Sequence, residues 1–176
     1  GEPVLDVACG SGEFLDLLAA DGSGPLVGVD PFRPAVGETA FRRVAGDGCR
    51  LPFVDASFRH VLCTHSLHHF LTFERISELL GEVGRVLAPG GRLYLIDHFG
   101  SPYLYLLFRL IEQPCRLYPS AVRHFGAQLR EERDYIYWWL AHWRRLFDAL
   151  EEAGLEVGSF RRRLFFFYLV CRPADV

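Results

Sequence analysis

The chain has 176 residues, half of them apolar, and a formal net charge of −3. This length suits one domain with a single well-filled core, and the apolar content excludes a disordered segment. The acidic balance lacks the basic stripe that a nucleic-acid-binding surface needs, so no nucleic-acid partner is expected.

The five cysteines are scattered, and no two have CxxC spacing. Neither a zinc site nor a disulfide framework is therefore expected, and no bound metal is predicted. Free thiols are typical of a reducing compartment, no signal peptide is expected, and the chain has no apolar run long enough to span a bilayer. These features predict a cytoplasmic protein without a transmembrane segment, whose oligomeric state is left open.

Short apolar runs alternate with helical patterns, and this alternation predicts an α/β fold, with a doubly wound, mostly parallel sheet of seven strands. The alternation stops after the fifth strand and resumes near the end of the chain. The predicted strands are residues 4–8, 26–30, 42–45, 58–64, 92–97, 155–161 and 164–171, and the predicted helices are residues 13–20, 34–41, 72–87 and 145–153.

Residues 98–143 interrupt this alternation and are rich in aromatic side chains. Ser101 followed by Pro102 is typical of a helix start. We predict that residues 98–143 are a helical cap inserted into one domain that spans residues 1–176, and that the cap lines an apolar acceptor pocket. Alternatively, its aromatics only pack against the sheet or form a dimer face, or the apolar helix at 104–111 makes a peripheral contact with a membrane surface.

A glycine turn joins the first predicted strand to the first helix, with Gly10 and Gly12 two residues apart. Glycines let a ligand approach the backbone, and free N–H groups at the start of the helix face that ligand. Asp30 ends the next strand, 20 residues after Gly10. Because a carboxylate there can accept hydrogen bonds from both ribose hydroxyls, the pattern predicts a nucleotide-like ligand.

Two nucleotide classes fit the turn poorly. The third position of a dinucleotide fingerprint falls on Leu15, and the chain has no lysine for a phosphate loop. Asp6, just before the turn, favours a cationic or amino-bearing ligand over a pyrophosphate, because like charges repel.

Residues 4–12, VLDVACGSG, resemble the acidic-x-Gly-x-Gly-x-Gly signature of class I S-adenosylmethionine-dependent methyltransferases. The resemblance extends over residues 4–97 and is most similar to the branch that methylates quinones, sterols and other small molecules. It implies a Rossmann-like fold, S-adenosylmethionine as cofactor and a small, lipophilic or aromatic acceptor. The further matching segments are VGVD at 27–30, GDG at 46–48 with LPF at 51–53, SLHH at 66–69 and EVGRVLAPGG at 82–91.

The resemblance also implies which residues hold the methionine part of the cofactor. Asp6 and the backbone at Ala8, Gly10 and Gly12 would bind it, and Cys9 would lie in the same turn. Ala8 stands where the family usually has glycine. The resemblance also implies an N-terminal helix that helps close the cofactor site, and no such helix is expected in the residues ahead of the first strand.

The adenosine part is expected to contact residues at the ends of the following strands. Asp30, followed by Pro31, would accept from the ribose hydroxyls, and Asp47, beside Gly48, would meet the adenine amino group. Thr64, at the end of the fourth strand, would line the cofactor near its sulfur.

Methyl transfer needs a nucleophile placed in line with the S–CH3 bond, and it requires no metal. A general base helps where the acceptor must lose a proton, and imidazole has a suitable pKa. We predict His98, directly after the fifth strand, as this base, with His65 as a second candidate. His68 and His69 are interpreted as core or helix-start residues.

Two functions remain open from the sequence. The first is an enzyme that methylates a small apolar acceptor, which the nearly complete set of acidic and glycine positions favours. The second is a methyltransferase-fold protein that binds the cofactor or a partner without turnover. A dehydrogenase is a distant third.

Overall fold

A single sheet carries the fold of the computed structural model, which describes residues 1–32 and 39–174. Its order is β3-β2-β1-β4-β5-β7-β6. All neighbours are parallel except β7, which is antiparallel to β5 and β6. The predicted seven-stranded, mostly parallel sheet is confirmed. The strands are β1 (Val4–Val7), β2 (Leu26–Asp30), β3 (Arg42–Ala45), β4 (Phe58–Thr64), β5 (Leu87–His98), β6 (Leu155–Arg163) and β7 (Phe166–Pro173).

Helices cover both faces of this sheet, as a doubly wound fold requires. Leu5 and Val7 of β1 belong to the main core cluster with α2 and α6, whereas Val4 packs with α1 in a second cluster. This division explains why β1 is apolar at nearly every position. The helices are α1 (Glu13–Ala20), α2 (Phe73–Val86), α3 (Pro102–Ile111), α4 (Ser120–Glu131), α5 (Arg133–His142) and α6 (Leu146–Glu152), with 3-10 turns at Leu67–Phe70 and Trp143–Arg145.

The insertion after β5 is helical, as predicted, and consists of α3, α4 and α5. The Ser101 hydroxyl accepts a hydrogen bond from the Leu104 N–H at 3.1 Å, and Pro102 begins α3, so this helix start is confirmed. The cap has its own core cluster, and Trp139 and Trp143 join it to the main core. That cluster consists of Leu104, Phe108, Leu129, Ile136 and Leu140.

Some predicted boundaries differ from the structure. Residues 89–91 do not separate α2 from β5 but lie within the strand, as a bulge between the pairs Phe58–Leu87 and His60–Arg92. The predicted start of the last strand is wrong, because Leu164 adopts φ 54 and forms the turn between β6 and β7. Most of the predicted helix at 34–41 lies outside the described residues.

No helix in the described parts of the chain has the length and apolar character to cross a membrane. Three apolar side chains of α3, Tyr103, Leu106 and Leu110, are each more than half exposed. Their spacing of three and four residues places them on one face of the helix. A peripheral membrane contact of this helix stays a prediction.

Candidate active site

Left-handed backbone shapes the turn between β1 and α1. Ala8, Gly10 and Gly12 have φ values of 57, 54 and 90°. A Cβ on Gly12 would lie 2.1 Å from the Phe41 ring, whereas a Cβ on Gly10 would meet nothing within 4 Å. Gly12 therefore permits close packing beneath the turn, and Gly10 presents its backbone to open space. Ala8 adopts a conformation that costs a non-glycine residue about 1–2 kcal/mol.

The Asp30 carboxylate links this turn to the end of β2. Its Oδ2 accepts from the Gly10 N–H and its Oδ1 from the Phe32 N–H, both at 2.9 Å. A carboxylate offers about four acceptor positions, so two remain for donors from a ligand. The hydrogen bond from Gly10 to Asp30 thus places the glycine turn and Asp30 in one site.

Arg43 on β3 secures the other side of the turn, and sequence reasoning did not find it. Its guanidinium donates to the carbonyl oxygens of Gly10 and Ser11 and lies 5.1 Å from the centre of the Phe41 ring. These bonds fix the turn carbonyls, while three N–H groups of the turn are also bonded, from Cys9 to Val29, from Gly10 to Asp30 and from Gly12 to Cys9. Nothing in the strand pattern of residues 42–45 distinguishes Arg43 from its neighbour Arg42.

Asp6 is a buried carboxylate, 2% exposed, below the turn. Its Oδ1 has no hydrogen-bond partner in the described structure. Burial, followed by the charge of Asp30, raises the pKa of Asp6 to about 7. An unpartnered buried carboxylate oxygen is costly unless a ligand donates to it. The site therefore fits a ligand that carries an ammonium group, such as the methionine part of S-adenosylmethionine.

Asp47 follows β3 and is held by Arg75 of α2. The Arg75 guanidinium donates to both carboxylate oxygens of Asp47 at 2.9 Å, and the Cys49 N–H donates to Oδ1 at 3.0 Å. The bond from the Cys49 backbone, together with Arg75, lowers the pKa of Asp47. The side chain is thus a fixed anion with acceptor capacity left for an amino group.

These residues line one cleft of about 1270 Å³ at the carboxyl ends of β1, β2 and β4. Of the predicted cofactor residues, only Gly12 is not part of the cleft wall. Aromatic and aliphatic side chains complete the wall, namely Phe14, Leu17, Phe32, Phe70, Ile96 and Tyr135. The predicted residues that line it are Asp6, Ala8, Cys9, Gly10, Asp30, Pro31, Asp47, Gly48 and Thr64.

His98 is not among the described residues that line this cleft, and its role as the base stays a prediction. Its ring packs against Phe108 and Phe166, with centroids 5.4 and 4.6 Å away. Its Nδ1 is buried without a hydrogen-bond partner in the described structure. The ring thus fills space between the cap and β7, whereas His65, with a left-handed φ of 52°, lies on the cleft wall.

A buried polar chain runs from β5 to the cap. Both oxygens of Asp97 lie near His68 Nδ1, at 3.1 and 3.2 Å, and Glu132 Oε2 is 3.7 Å from His68 Nε2. Burial opposes charge on His68, but the carboxylates raise its pKa to about 9. Burial likewise opposes charge on Asp97, but His68 holds the Asp97 pKa well below its usual range. His68 is a core residue, as predicted, whereas His69 lines the cleft.

Comparison with known proteins agrees with this geometry. Residues 5–95 match the family described as "Methyltransferase domain". A probable tRNA methyltransferase 9B from Mus musculus is 35% identical over 101 residues, which are 54% of this chain and 21% of that protein. A demethylmenaquinone methyltransferase from Corynebacterium glutamicum is 34% identical over 130 residues, which are 68% of this chain and 55% of that protein.

Solved structures share the whole fold. A protein from Methanosarcina mazei, titled as a SAM-dependent methyltransferase, superposes with a TM-score of 0.66 at 19% identity over 98% of this chain and 92% of its own. At this identity the likeness shows the fold alone. The family match covers more than half of the chain, and the matched residues include the glycine turn and the acidic residues that line the cleft. The chain therefore belongs to the class I S-adenosylmethionine-dependent methyltransferases.

Proposed function

We propose that this domain transfers the methyl group of S-adenosylmethionine to a small apolar or aromatic acceptor. The observation that carries the proposal is the cleft, in which the unpartnered Asp6 oxygen, the glycine turn, Asp30 and Asp47 lie beside an apolar wall. S-Adenosylmethionine supplies a sulfonium-activated methyl group when bound. The protein's part is to orient the cofactor, to exclude water and to place the acceptor in line.

Each part of the cofactor has a partner among the residues of the cleft. Asp6 and the backbone of the turn would hold the ammonium and carboxylate of the methionine part. The remaining acceptor positions of Asp30 would bind the ribose hydroxyls, and Asp47 would accept from the adenine amino group. Thr64 and Ile96 are paired at the ends of β4 and β5, and both would lie beside the reacting sulfur.

The charge of the cleft favours a small acceptor over RNA. Four acidic residues line it, and among the described lining residues Arg75 carries the one guanidinium, which is paired with Asp47. A negative cleft repels a phosphate backbone, whereas nucleic-acid sites attract it with unpaired Arg and Lys. The relatives carry names of both kinds, a tRNA methyltransferase and a demethylmenaquinone methyltransferase. The cleft is better suited to a quinol or phenol.

Binding and turnover are tested separately. Calorimetry with S-adenosylhomocysteine should show one site, and labelled S-adenosylmethionine should transfer its methyl group to phenols or quinols but not to bulk tRNA. Binding without any turnover would favour the alternative, a methyltransferase-fold binding protein. Binding of NAD with no affinity for S-adenosylhomocysteine would refute the proposal. The chain spans 21% of the tRNA methyltransferase 9B and 55% of the demethylmenaquinone methyltransferase. These tests therefore address the activity of this domain and not that of a longer protein.

His65 is proposed as the general base for a hydroxyl acceptor. Burial of the ring lowers its pKa, so the imidazole is neutral near pH 7 and can accept a proton. We expect His65→Gln to lower kcat about 100-fold or more at pH 7, the lower end of the range for a lost general base. The deficit should shrink as pH rises, because the phenol then ionises without help.

Three measurements check the assignment of His65. The cofactor Kd of His65→Gln should be unchanged, and His124→Gln, at an exposed histidine on α4, should retain full activity. A His65→Gln enzyme with an unaltered rate, or with the same loss at every pH, would exclude the base role.

Tyr135 is the cap residue that lines the cleft. Tyr135→Ala should lower kcat/KM for aromatic acceptors roughly 3- to 10-fold, the value of one aromatic pair, while cofactor affinity is retained. Tyr103→Ala, at an exposed ring on α3, is the matched control. Tyr105 and Phe108 pack within the cap, so truncating them should lower the thermal midpoint instead. Equal activities of the Tyr135 and Tyr103 variants would remove the cap from the acceptor site.

A further inference from the structure

One group of ligand-type side chains at the cap boundary has no part in the proposed reaction. His68 and His69 lie on the 3-10 turn after β4, and Glu132 lies where α4 meets α5. One ligand atom from each of the three lies within 4.8 Å of the other two. The group therefore joins two parts of the chain that are more than 60 residues apart in sequence.

The spacing of the His68 and Glu132 atoms fits metal ligation better than hydrogen bonding. The 3.7 Å between His68 Nε2 and Glu132 Oε2 exceeds a hydrogen-bond distance. Two ligands of one tetrahedral zinc ion, each about 2.1 Å from the metal, lie about 3.4 Å apart. A shift of a few tenths of an ångström would bring the pair to that distance. Within residues 1–32 and 39–174 the His69 ring makes no hydrogen bond that would compete with binding to a metal ion.

Asp97 orients His68 in the way that metal sites orient their histidines. Both Asp97 oxygens face His68 Nδ1, so the Nδ1–H donates to Asp97 and Nε2 faces Glu132, where a metal ion would replace the Nε2 proton. Asp97 is itself held by the N–H groups of Leu67, at 2.9 Å, and His98, at 2.7 Å. A histidine that ligates a metal almost always donates its other ring N–H to such a partner, and this contact fixes the tautomer.

The group is also reachable from the cleft. His68 is 4% exposed, but His69 and Tyr135 line the cleft, and their rings are 6.5 Å apart. An ion held by the three ligands would thus be buried on the His68 side and would keep a position open on the cleft side. Three protein ligands with an open position are typical of catalytic rather than structural sites.

We infer that His68, His69 and Glu132 form a binding site for a divalent transition-metal ion of the zinc class, with an open coordination position towards the cleft. Two imidazoles with one carboxylate suit zinc and its first-row neighbours, whereas magnesium and calcium prefer oxygen ligands. The ion also links the cap to the sheet, because Glu132 is a cap residue and the histidines follow β4.

The neighbouring trio of His65, Asp97 and His98 is a weaker candidate. The oxygens of Asp97 already accept from two backbone N–H groups and from His68. A metal ion bound to Asp97 would have to break these hydrogen bonds. At the site of His68, His69 and Glu132 the same bonds stay intact and orient His68.

Metal binding at this site does not depend on the proposed function. The site adds to that function only if the acceptor binds at the open coordination position. An acceptor oxygen bound there would lose its proton more readily, since a bound cation lowers the pKa of a ligating hydroxyl. This consequence favours a hydroxyl-bearing acceptor over an amine. It rests on the proposed methyl transfer.

Calorimetry of the metal-stripped protein with ZnCl2, and visible spectroscopy with CoCl2, test the site directly. We expect one Zn²⁺ per chain and Co²⁺ bands that show nitrogen and oxygen ligands. His69→Ala and Glu132→Gln should each weaken Zn²⁺ binding at least about 100-fold, because losing a residue that only supports a ligand already costs about 10- to 100-fold. Glu131→Gln and His124→Ala, at exposed neighbours on α4, should bind as the wild type does.

The outcomes separate this site from the methyltransferase proposal. Circular dichroism and the thermal midpoint of the metal-free variants should match the wild type, so a lost site is not mistaken for a lost fold. Absence of saturable Zn²⁺ binding would overturn the inference, as would binding that survives His69→Ala but is lost in His65→Ala. Zn²⁺ binding by a protein that shows no affinity for S-adenosylhomocysteine would leave the metal site in place and refute only the proposed function.

Discussion

Asp30→Ala is expected to weaken the binding of S-adenosylhomocysteine at least about 100-fold. The loss has two physical sources. A hydrogen bond to a charged group contributes about 1.5–3 kcal/mol, and the ribose would donate two. The same substitution removes the acceptor for the Gly10 N–H, so the glycine turn loses its link to β2. Isothermal titration calorimetry with S-adenosylhomocysteine measures the change.

Two further variants separate these sources. Asp30→Asn keeps one carbonyl acceptor and should lose less affinity than Asp30→Ala. Asp16→Ala removes an exposed acid on α1, which does not line the cleft, and should leave the Kd unchanged. If Asp30→Ala bound the ligand as tightly as Asp16→Ala does, the assignment of the ribose to Asp30 would be wrong.

The sheet could be predicted because its strands follow rules that act locally. β2 and β4 match their predicted bounds, since buried parallel strands are short apolar runs that end at polar or turn residues. The bounds of β3 also match, although this edge strand begins with two arginines and is only partly buried. The prediction was less exact where tertiary packing decides the backbone. Pro89 was interpreted as a helix stop, but pairing with β4 already begins at Leu87. Leu164 was interpreted as strand because it is apolar, yet it forms the hairpin turn.

The site could be predicted only where a family motif carried it. The glycine turn and Asp30 were found through their spacing, and the structure joins them by a hydrogen bond. Arg43 and Glu132 carry no local signal, because each acts through a residue far away in sequence. The sequence likewise does not distinguish His98 from His65 as the base. Both follow a strand, and only the packing of Phe108 and Phe166 shows which ring is covered.

Asp6→Asn is expected to stabilise the ligand-free protein and to weaken cofactor binding. Asp6 has a raised pKa of about 7, well above its ordinary 3.8, so the folded protein holds a proton that the unfolded chain releases. The free energy of unfolding should therefore fall as pH rises from about 4 to about 7, because each pH unit of difference corresponds to about 1.4 kcal/mol. Asn removes this dependence, since it is neutral throughout.

Cofactor binding should follow pH in the opposite direction. The ammonium of the methionine part needs the ionised form of Asp6, so wild-type affinity should decline as pH falls below about 7, with release of a proton on binding. Asp6→Asn should bind S-adenosylhomocysteine at least 10-fold more weakly at pH 8, since a hydrogen bond to a charged group contributes about 1.5–3 kcal/mol, and the weak binding should not vary with pH. Thermal denaturation between pH 5 and 8, with calorimetry in two buffers of different ionisation enthalpy, measures both effects. A variant that melts below the wild type at pH 8, or that keeps the wild-type pH dependence of binding, would show that Asp6 does not face the ammonium.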